Sequence, residues 1–420
     1  MTSSETLPGA KAHIDTALAI STRIDDLPAG TPLKTIGRVG VLGAGTMGGG
    51  IAMNFLTAGI PVTIVEAEAA NLERGVATIR RNYENSVKRG KMEAAAVDAA
   101  MAVLTPSLDF ADLSQCDLVI EAVYENLDLK KDIFRRLDQV AKRGAILASN
   151  TSYLDIDAMA AETSRPEAVL GMHFFSPANI MKLLEVVRAE KTGMSELATV
   201  MDLASRIGKV AVVAGVCHGF IGNRMLMPRQ LQAQAMLMEG ADYAAVDQAL
   251  LDFGFPMGPF QMSDLAGVDI GWHRDPARIE SIRDALCAAG RWGQKTGKGW
   301  YDYDDSRQRR SSDEVHAIVA KFAAREGKPQ RAFTADEIRE RLLYPMIDEG
   351  AKILGEGKAQ RASDIDLVWL NGYGWPAWTG GPMFWAQHVG LKTIVAGLER
   401  HGMPVSPYLR QAADGTGKFD

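Results

Sequence analysis

Six consecutive residues, Gly43-Ala44-Gly45-Thr46-Met47-Gly48, constrain what this chain can fold into more than any others. They fit the spacing G-x-G-x-x-G, which alone is a weak signal. Their setting gives it force. A short β-branched run, Val39-Gly40-Val41-Leu42, leads into them, a stretch of helical composition, Thr46 to Ala58, follows, and a second apolar run reaches from Pro61 to Glu66. In such a βαβ unit each glycine serves a different end. Gly43 permits a tight turn, Gly45 lets the backbone approach a pyrophosphate, and Gly48 lets helix and strand pack closely. Thr46 and Met47 open the helix, whose free N–H groups and positive dipole end suit phosphate. Glu66 ends the second strand, roughly 20 residues beyond the motif, where a carboxylate accepts the ribose hydroxyls and repels a 2′-phosphate. The expected cofactor is NAD rather than NADP.

Strand and helix signals go on alternating. Strands are expected at Asp117 to Val123, Ala145 to Ala148, Val169 to Phe175, Leu183 to Val187 and Lys209 to Ala214, with a helix at Asp128 to Lys142. Alternation of this kind argues a mostly parallel, doubly wound sheet. After Gly215 strand signals vanish and helical periodicity dominates. The helical half also repeats itself: Arg224 to Pro228 resembles Arg341 to Pro345, Glu239-Gly240-Ala241 resembles Glu349-Gly350-Ala351, Val246-Asp247 resembles Ile365-Asp366, and Gly258-Pro259 resembles Gly381-Pro382. The fold class read from these patterns is α/β, a Rossmann-type doubly wound sheet followed by a duplicated all-α domain. Its expected parts are a lead segment (1–36), a dinucleotide-binding domain (37–215), a first helical domain (216–305) and its repeat (330–420). The charged stretch Arg291 to Lys328 reads as holding a linker.

Composition narrows the class further. The net charge of −6 argues against nucleic acid or an anionic membrane as partner. Three scattered cysteines without C-x-x-C spacing fit a reducing compartment and give neither a metal nor a disulfide framework. No signal-peptide pattern, apolar span of about 18 residues or C-terminal peroxisomal address is present, so the cytoplasm is the default expectation.

Three polar clusters are candidates for chemistry. Gly171 to Pro177 and Leu183 to Val187 form a hairpin if the chain turns at Asn179, which sets His173 opposite Glu185. A histidine held by a carboxylate has one tautomer fixed and suits a general base removing an alcohol proton. Without the hairpin, His173 reads as a satisfied strand histidine. Asn150-Thr151-Ser152 follows the strand at Ala145 to Ala148, at the sheet end where ligands gather. Ser152 is placed to reach substrate or nicotinamide, whereas Asn150 and Thr151 also read as turn caps. Asn223, in Gly219-Phe220-Ile221-Gly222-Asn223-Arg224, is placed to donate to an oxyanion and equally reads as a helix cap.

Taken in order, Gly43 to Gly48, Glu125-Asn126-Leu127, Asn150-Thr151-Ser152, His173 to Pro177, Glu185, Gly219 to Arg224 and Met257-Gly258-Pro259-Phe260 resemble the L-3-hydroxyacyl-CoA dehydrogenase family. The resemblance covers roughly residues 36 to 420. The duplicated helical part is similar to the dehydrogenase portion of the peroxisomal-type multifunctional fatty-acid oxidation enzymes, without their hydratase/isomerase half, and the lead segment is similar to their interdomain linker. The resemblance implies that His173 is the base and Glu185 its partner, and that Ser152 and Asn223 hold the C3 oxygen and thioester carbonyl. It implies that Glu125 and Lys130 line the NAD site, that Lys295 closes over it, and that Asn82 and Arg89 contact CoA. Ser176 stands where many members carry an asparagine, which puts that residue's contact to the nicotinamide amide in doubt.

The activity implied is NAD-dependent oxidation of (S)-3-hydroxyacyl-CoA to 3-oxoacyl-CoA. Alternatives are the same chemistry on a steroid, aromatic-pathway or dicarboxylic acyl-CoA, or a non-catalytic subunit that binds NAD or acyl-CoA. A separate enoyl-CoA hydratase or thiolase is a candidate partner. The second helical copy is expected to occupy the place of a partner subunit, making a pseudo-dimeric monomer or a weak homo-oligomer.

Overall fold

The structure, a computed structural model, describes residues 6–272, 278–417 and 419. Among them, eight strands form one sheet: β1 (Val39–Leu42), β2 (Val62–Val65), β3 (Leu104–Ser107), β4 (Leu118–Glu121), β5 (Ile146–Ser149), β6 (Val169–Phe174), β7 (Leu183–Arg188) and β8 (Val210–Gly215). Their spatial order is β3-β2-β1-β4-β5-β6-β7-β8. Neighbours run parallel except β6 and β7, which form an antiparallel hairpin. β1, β2, β4 and β5 are buried along their whole length, as expected of strands covered by helices on both faces. β3 escaped the sequence reading because it carries Pro106 and is only partly buried; a proline is tolerated there because the strand lies at the sheet edge.

The helical half carries matching triplets: Gly222–Met238, Tyr243–Phe253 and Pro259–Ala266, then Ala335–Gly355, Ala362–Gly372 and Pro382–Val389. In each, a buried aspartate on the middle helix receives the first backbone N–H groups of the third. Asp247 accepts from Phe260 and Gln261, both at 2.9 Å, and Asp366 accepts from Met383 at 2.6 Å and from Phe384. Gly258 and Gly381 precede the third helices because a Cβ at either would strike the aspartate, at 2.2 and 2.3 Å. Each aspartate takes one more donor, and here the copies differ: Tyr301 serves Asp247, and His13 of the lead segment lies 2.8 Å from Asp366.

The long first helices pack on each other, and their ion pairs are reciprocal. Arg224 reaches Glu349 at 2.7 Å, and Arg341 reaches Glu239 at 2.7 Å. Paired contacts exchanged in this way are what a two-fold axis produces. The second copy also leans on the sheet, where Gly215 N–H donates to Lys358 and Gly372 sits against Leu183 of β7.

Two segments differ from expectation. Arg291 to Lys328 is folded rather than a linker: it holds a small hairpin (Tyr301–Tyr303 with Arg309–Ser311) and a helix, Asp313–Glu326. Its charges misled because Arg291 is buried, its guanidinium satisfied by Gly299 O, Glu314 and Asp302 at 2.7–2.9 Å. The lead segment is docked at several points among its described residues. Its helix Ala10–Ile20 packs on Ala362–Gly372, Asp26 pairs with Arg188, Pro32 O accepts from Ser195, and Lys34 pairs with Glu196.

Candidate active site

The glycine-rich loop leaves the carboxyl end of β1 and turns into the helix Thr46–Thr57. Gly43 has φ of 104°, in the left-handed region, and a Cβ there would lie 2.8 Å from Ala122 O. At Gly48 a Cβ would fall 1.9 Å from Gly43 O, so strand and helix meet at that point. At Gly45 no atom lies within 4 Å of the Cβ position, and no side chain caps the helix. The loop thus presents an open cradle of backbone donors at a helix N-terminus, with Thr46 exposed and Met47 partly so. Glu66 stands beside it: Oε2 accepts from Ala44 N–H at 2.9 Å and Oε1 from Ala67 N–H at 2.8 Å. A dinucleotide's pyrophosphate and ribose fit this arrangement.

The β6–β7 hairpin sets His173 opposite Glu185, as the symmetry about Asn179 requires. His173 Nδ1 lies 2.7 Å from Glu185 Oε2, with both residues buried. Glu185 Oε1 accepts two backbone N–H groups, Ile221 at 3.1 Å and Gly222 at 2.9 Å. One carboxylate therefore holds both the imidazole and the start of the helix that carries Asn223. Phe175 and Phe220 flank the imidazole, their ring centroids 4.4 and 5.7 Å from it. The turn is closed from behind by Lys209, whose ammonium donates to Ala178 O at 2.6 Å and Met181 O at 2.7 Å. Burial pulls that ammonium's pKa down to about 8.

Ser152 follows β5 in a loop organised by Glu125, whose Oε1 accepts from Thr151 Oγ1 at 2.6 Å and Ser152 N–H at 2.8 Å. Thr151 also caps the turn by accepting from Leu154 N–H at 2.9 Å, and Asn150 Oδ1 accepts from Phe174 N–H at 2.9 Å. Asn150 and Thr151 are thus spent on structure and tie this loop to the strand bearing His173. Ser152 is only partly buried, and among the described residues its hydroxyl has no partner.

Other expected residues are less central. Lys130 is 1% exposed, and its ammonium is held by Glu121 Oε1 at 2.6 Å, with Glu125 Oε2 at 3.5 Å. It stands behind the loop instead of on an open surface. Ser176 is exposed at the hairpin turn. Lys295 is exposed and paired with Asp269 within the helical half. Asn82 lies within helix Ala69–Lys88 and Arg89 caps its C-terminal end, with Asn82 Nδ2 3.9 Å from Met53 Sδ and Arg89 exposed. Neither touches His173, Ser152 or Asn223 among the described residues.

Sequence reasoning missed two residues. Glu121, buried at the end of β4, gathers Lys130, Val123 N–H and Ser149 Oγ; a lone acid ending an apolar strand was its signal. Tyr373 donates to Asn223 Oδ1 at 2.7 Å. No local pattern marks Tyr373, because it belongs to the second helical copy.

Comparison with known proteins agrees with this arrangement. Residues 38–217 match the 3-hydroxyacyl-CoA dehydrogenase NAD-binding domain, and residues 219–303 match the C-terminal domain of the same enzymes. The chain belongs to the 3-hydroxyacyl-CoA dehydrogenase family. NAD is accordingly the dinucleotide of the Gly43–Gly48 cradle. A solved Mycobacterium tuberculosis FadB2 is 37% identical, with a TM-score of 0.60, covering 64% of this chain and 100% of its own. The dehydrogenase part of Caenorhabditis elegans multifunctional enzyme 1 is 28% identical with a TM-score of 0.68, covering 97% of each chain. The peroxisomal bifunctional enzyme of Cavia porcellus is 42% identical over 89% of this chain and 55% of its own length. The chain thus spans about half the length of such relatives. No helix among the described residues is long and apolar enough to cross a membrane.

Proposed function

We propose that this dehydrogenase-family chain oxidises (S)-3-hydroxyacyl-CoA to 3-oxoacyl-CoA with NAD, and catalyses the reverse. The observation that carries this reading is the shared carboxylate of Glu185, which fixes His173 and the helix start at Gly222 together. With Nδ1 committed to Glu185, the basic atom of His173 is Nε2. It takes the proton of the C3 hydroxyl, and Glu185 stabilises the imidazolium that results. NAD, when bound, supplies the acceptor for the hydride leaving C3. Ser152 and Asn223 hold the C3 oxygen and the thioester carbonyl, and their fixed dipoles favour the reacting geometry. Glu66 receives the adenosine ribose. Glu125 lines the NAD site with Lys130 behind it, Lys295 closes over the site as the halves approach, and Ser176 borders the nicotinamide. Asn82 and Arg89 take the CoA moiety.

The same reading divides the chain into a lead segment (1–36), the NAD domain (37–215) and two helical copies (216–305 and 330–420) that form a pseudo-dimer within one chain. Hydration of a 2-enoyl-CoA is the reaction that supplies the substrate. Three unpaired cysteines, two of them buried, support a reducing aqueous compartment such as the cytoplasm; the peroxisome named for the Cavia porcellus relative is the other candidate, and fractionation distinguishes them.

The test is NADH oxidation with acetoacetyl-CoA and longer 3-oxoacyl-CoAs, run on the wild type and on His173→Gln. The variant should bind NADH normally and lose about 10²–10⁴-fold in kcat, the scale of a lost general base. Near-wild-type turnover in the variant would remove His173 from this role. NADH binding without turnover of any thioester would favour a non-catalytic subunit.

A further inference from the structure

The second helical copy has no glycine-rich loop to serve, and it lacks a counterpart of Asn223. With Arg224 matched to Arg341, the position of Asn223 falls on Glu340, which pairs with Arg400 and His401 at the surface. Yet this copy sends one side chain to the site. Tyr373, just past the end of helix Ala362–Gly372, donates its hydroxyl to Asn223 Oδ1 at 2.7 Å. Its ring is locked on three sides. It stacks on Trp369 at 4.5 Å, meets Phe175 edge-on at 5.5 Å, and lies so close to Gly222 that a Cβ there would come within 2.5 Å of it. Phe175 in turn packs against His173. Tyr373 therefore touches both the helix bearing Asn223 and the aromatic neighbour of the base.

An asparagine amide has an acceptor end and a donor end, and a rotation of half a turn exchanges them. Only the donor end stabilises a substrate oxygen; the acceptor end repels it. We propose that Tyr373 is a positioning residue for the reaction, its hydroxyl holding Asn223 Oδ1 so that the amide NH2 is left for the substrate. This rests on the role given to Asn223 above. A tyrosine suits this role because it stays a donor: burial first, then the negative charge of Glu185, push its pKa well above the usual tyrosine value. With its proton kept, the hydroxyl donates to Asn223 Oδ1 at 2.7 Å, and that bond occupies the oxygen end of the amide. On this view the second copy completes the site as well as packing against the first.

The experiment compares Tyr373→Phe, Asn223→Ala and the double variant in the full chain, with acetoacetyl-CoA and NADH. Phenylalanine keeps the ring contacts and removes only the hydroxyl. Tyr373→Phe should lower kcat by about 2- to 10-fold, the scale of one hydrogen bond, with NADH affinity by fluorescence and Tm close to wild type. The double variant should be no slower than Asn223→Ala, because both changes act through the same amide. Asn223→Asp, which keeps the tyrosine's acceptor and loses the donor, should be about as slow as Asn223→Ala. A merely structural tyrosine predicts a lowered Tm and losses that multiply. Multiplying losses, or wild-type kcat in Tyr373→Phe, would overturn the proposal while leaving Asn223 in place. Full activity in Asn223→Ala would overturn the reading of Asn223 itself, and the proposal with it.

Discussion

Glu185 accepts the backbone N–H of Gly222 at 2.9 Å through one oxygen while the other lies 2.7 Å from His173 Nδ1. A base on the sheet and a helix start in the α-helical half are thereby fixed to one buried group. Any shift of the helical half against the sheet is felt at the imidazole, and a misplacement of about 1 Å is enough to affect rate strongly.

Glu185→Gln tests that coupling. The glutamine amide is nearly the same size but must turn its NH2 group toward either the two backbone donors or the imidazole. In both cases a buried donor faces a donor, or the histidine takes the wrong tautomer. We expect kcat to fall about 10²-fold or more and stability to fall by about 1–3 kcal/mol, read by NADH oxidation and chemical denaturation. Wild-type turnover in this variant would show that the carboxylate's charge is not needed by the base.

Two neighbouring glycines should respond oppositely to alanine. Gly45 has φ −70°, which alanine adopts freely, and open space at its Cβ position. Gly45→Ala should keep its Tm and weaken NAD binding by about tenfold, or about 1.4 kcal/mol, because the methyl occupies the pyrophosphate's place. Gly48→Ala puts a methyl 1.9 Å from Gly43 O and should lower stability by about 1–3 kcal/mol. Calorimetry of binding and of unfolding separates the two. A Gly45→Ala protein that binds NAD as tightly as wild type would place the cofactor elsewhere.

Features set by neighbours in sequence could be read before the fold was known. The turn at Gly43, the carboxylate at Glu66 and the pairing of His173 with Glu185 each follow from spacing within one supersecondary unit. Thr151 and Asn150, open between turn caps and site residues, prove to be tied up in backbone contacts, and Ser152 keeps the free hydroxyl. What escaped depended on distant chain segments. Tyr373 reaches Asn223 across about a third of the sequence, and His13 of the lead segment supplies the donor that Tyr301 supplies in the other copy. The charged stretch Arg291 to Lys328 reads as holding a linker because the acceptors of Arg291, at Gly299, Asp302 and Glu314, are not contiguous with it in sequence.

Lys209 gives the protein a pH signature. Its folded-state pKa is depressed to about 8 from 10.5 by burial. A depressed lysine pKa contributes stability that is fully present above the unfolded value and lost as pH falls through the folded one. Wild type should therefore gain stability relative to Lys209→Met between about pH 8 and pH 10, with the Tm difference moving by about 2 °C or more in its favour. A difference that stays flat across this range would mean that the ammonium is not desolvated.

The reciprocal pairs Arg224–Glu349 and Arg341–Glu239 bear on assembly. If the second copy fills the place of a partner subunit, the faces that would join two chains are already joined within one. Sedimentation at micromolar concentration should then give a single species near the chain mass of 45.4 kDa. Removing residues 328–420 exposes the helix Gly222–Met238 along the face that packs on Ala335–Gly355, strips Tyr373 from Asn223, and uncovers β7 at Leu183. The shortened chain should dimerise through that face or precipitate, because a large uncovered apolar surface seeks a partner. A shortened chain that stays soluble, monomeric and fully active would contradict both the pseudo-dimer and the contribution of the second copy to the site.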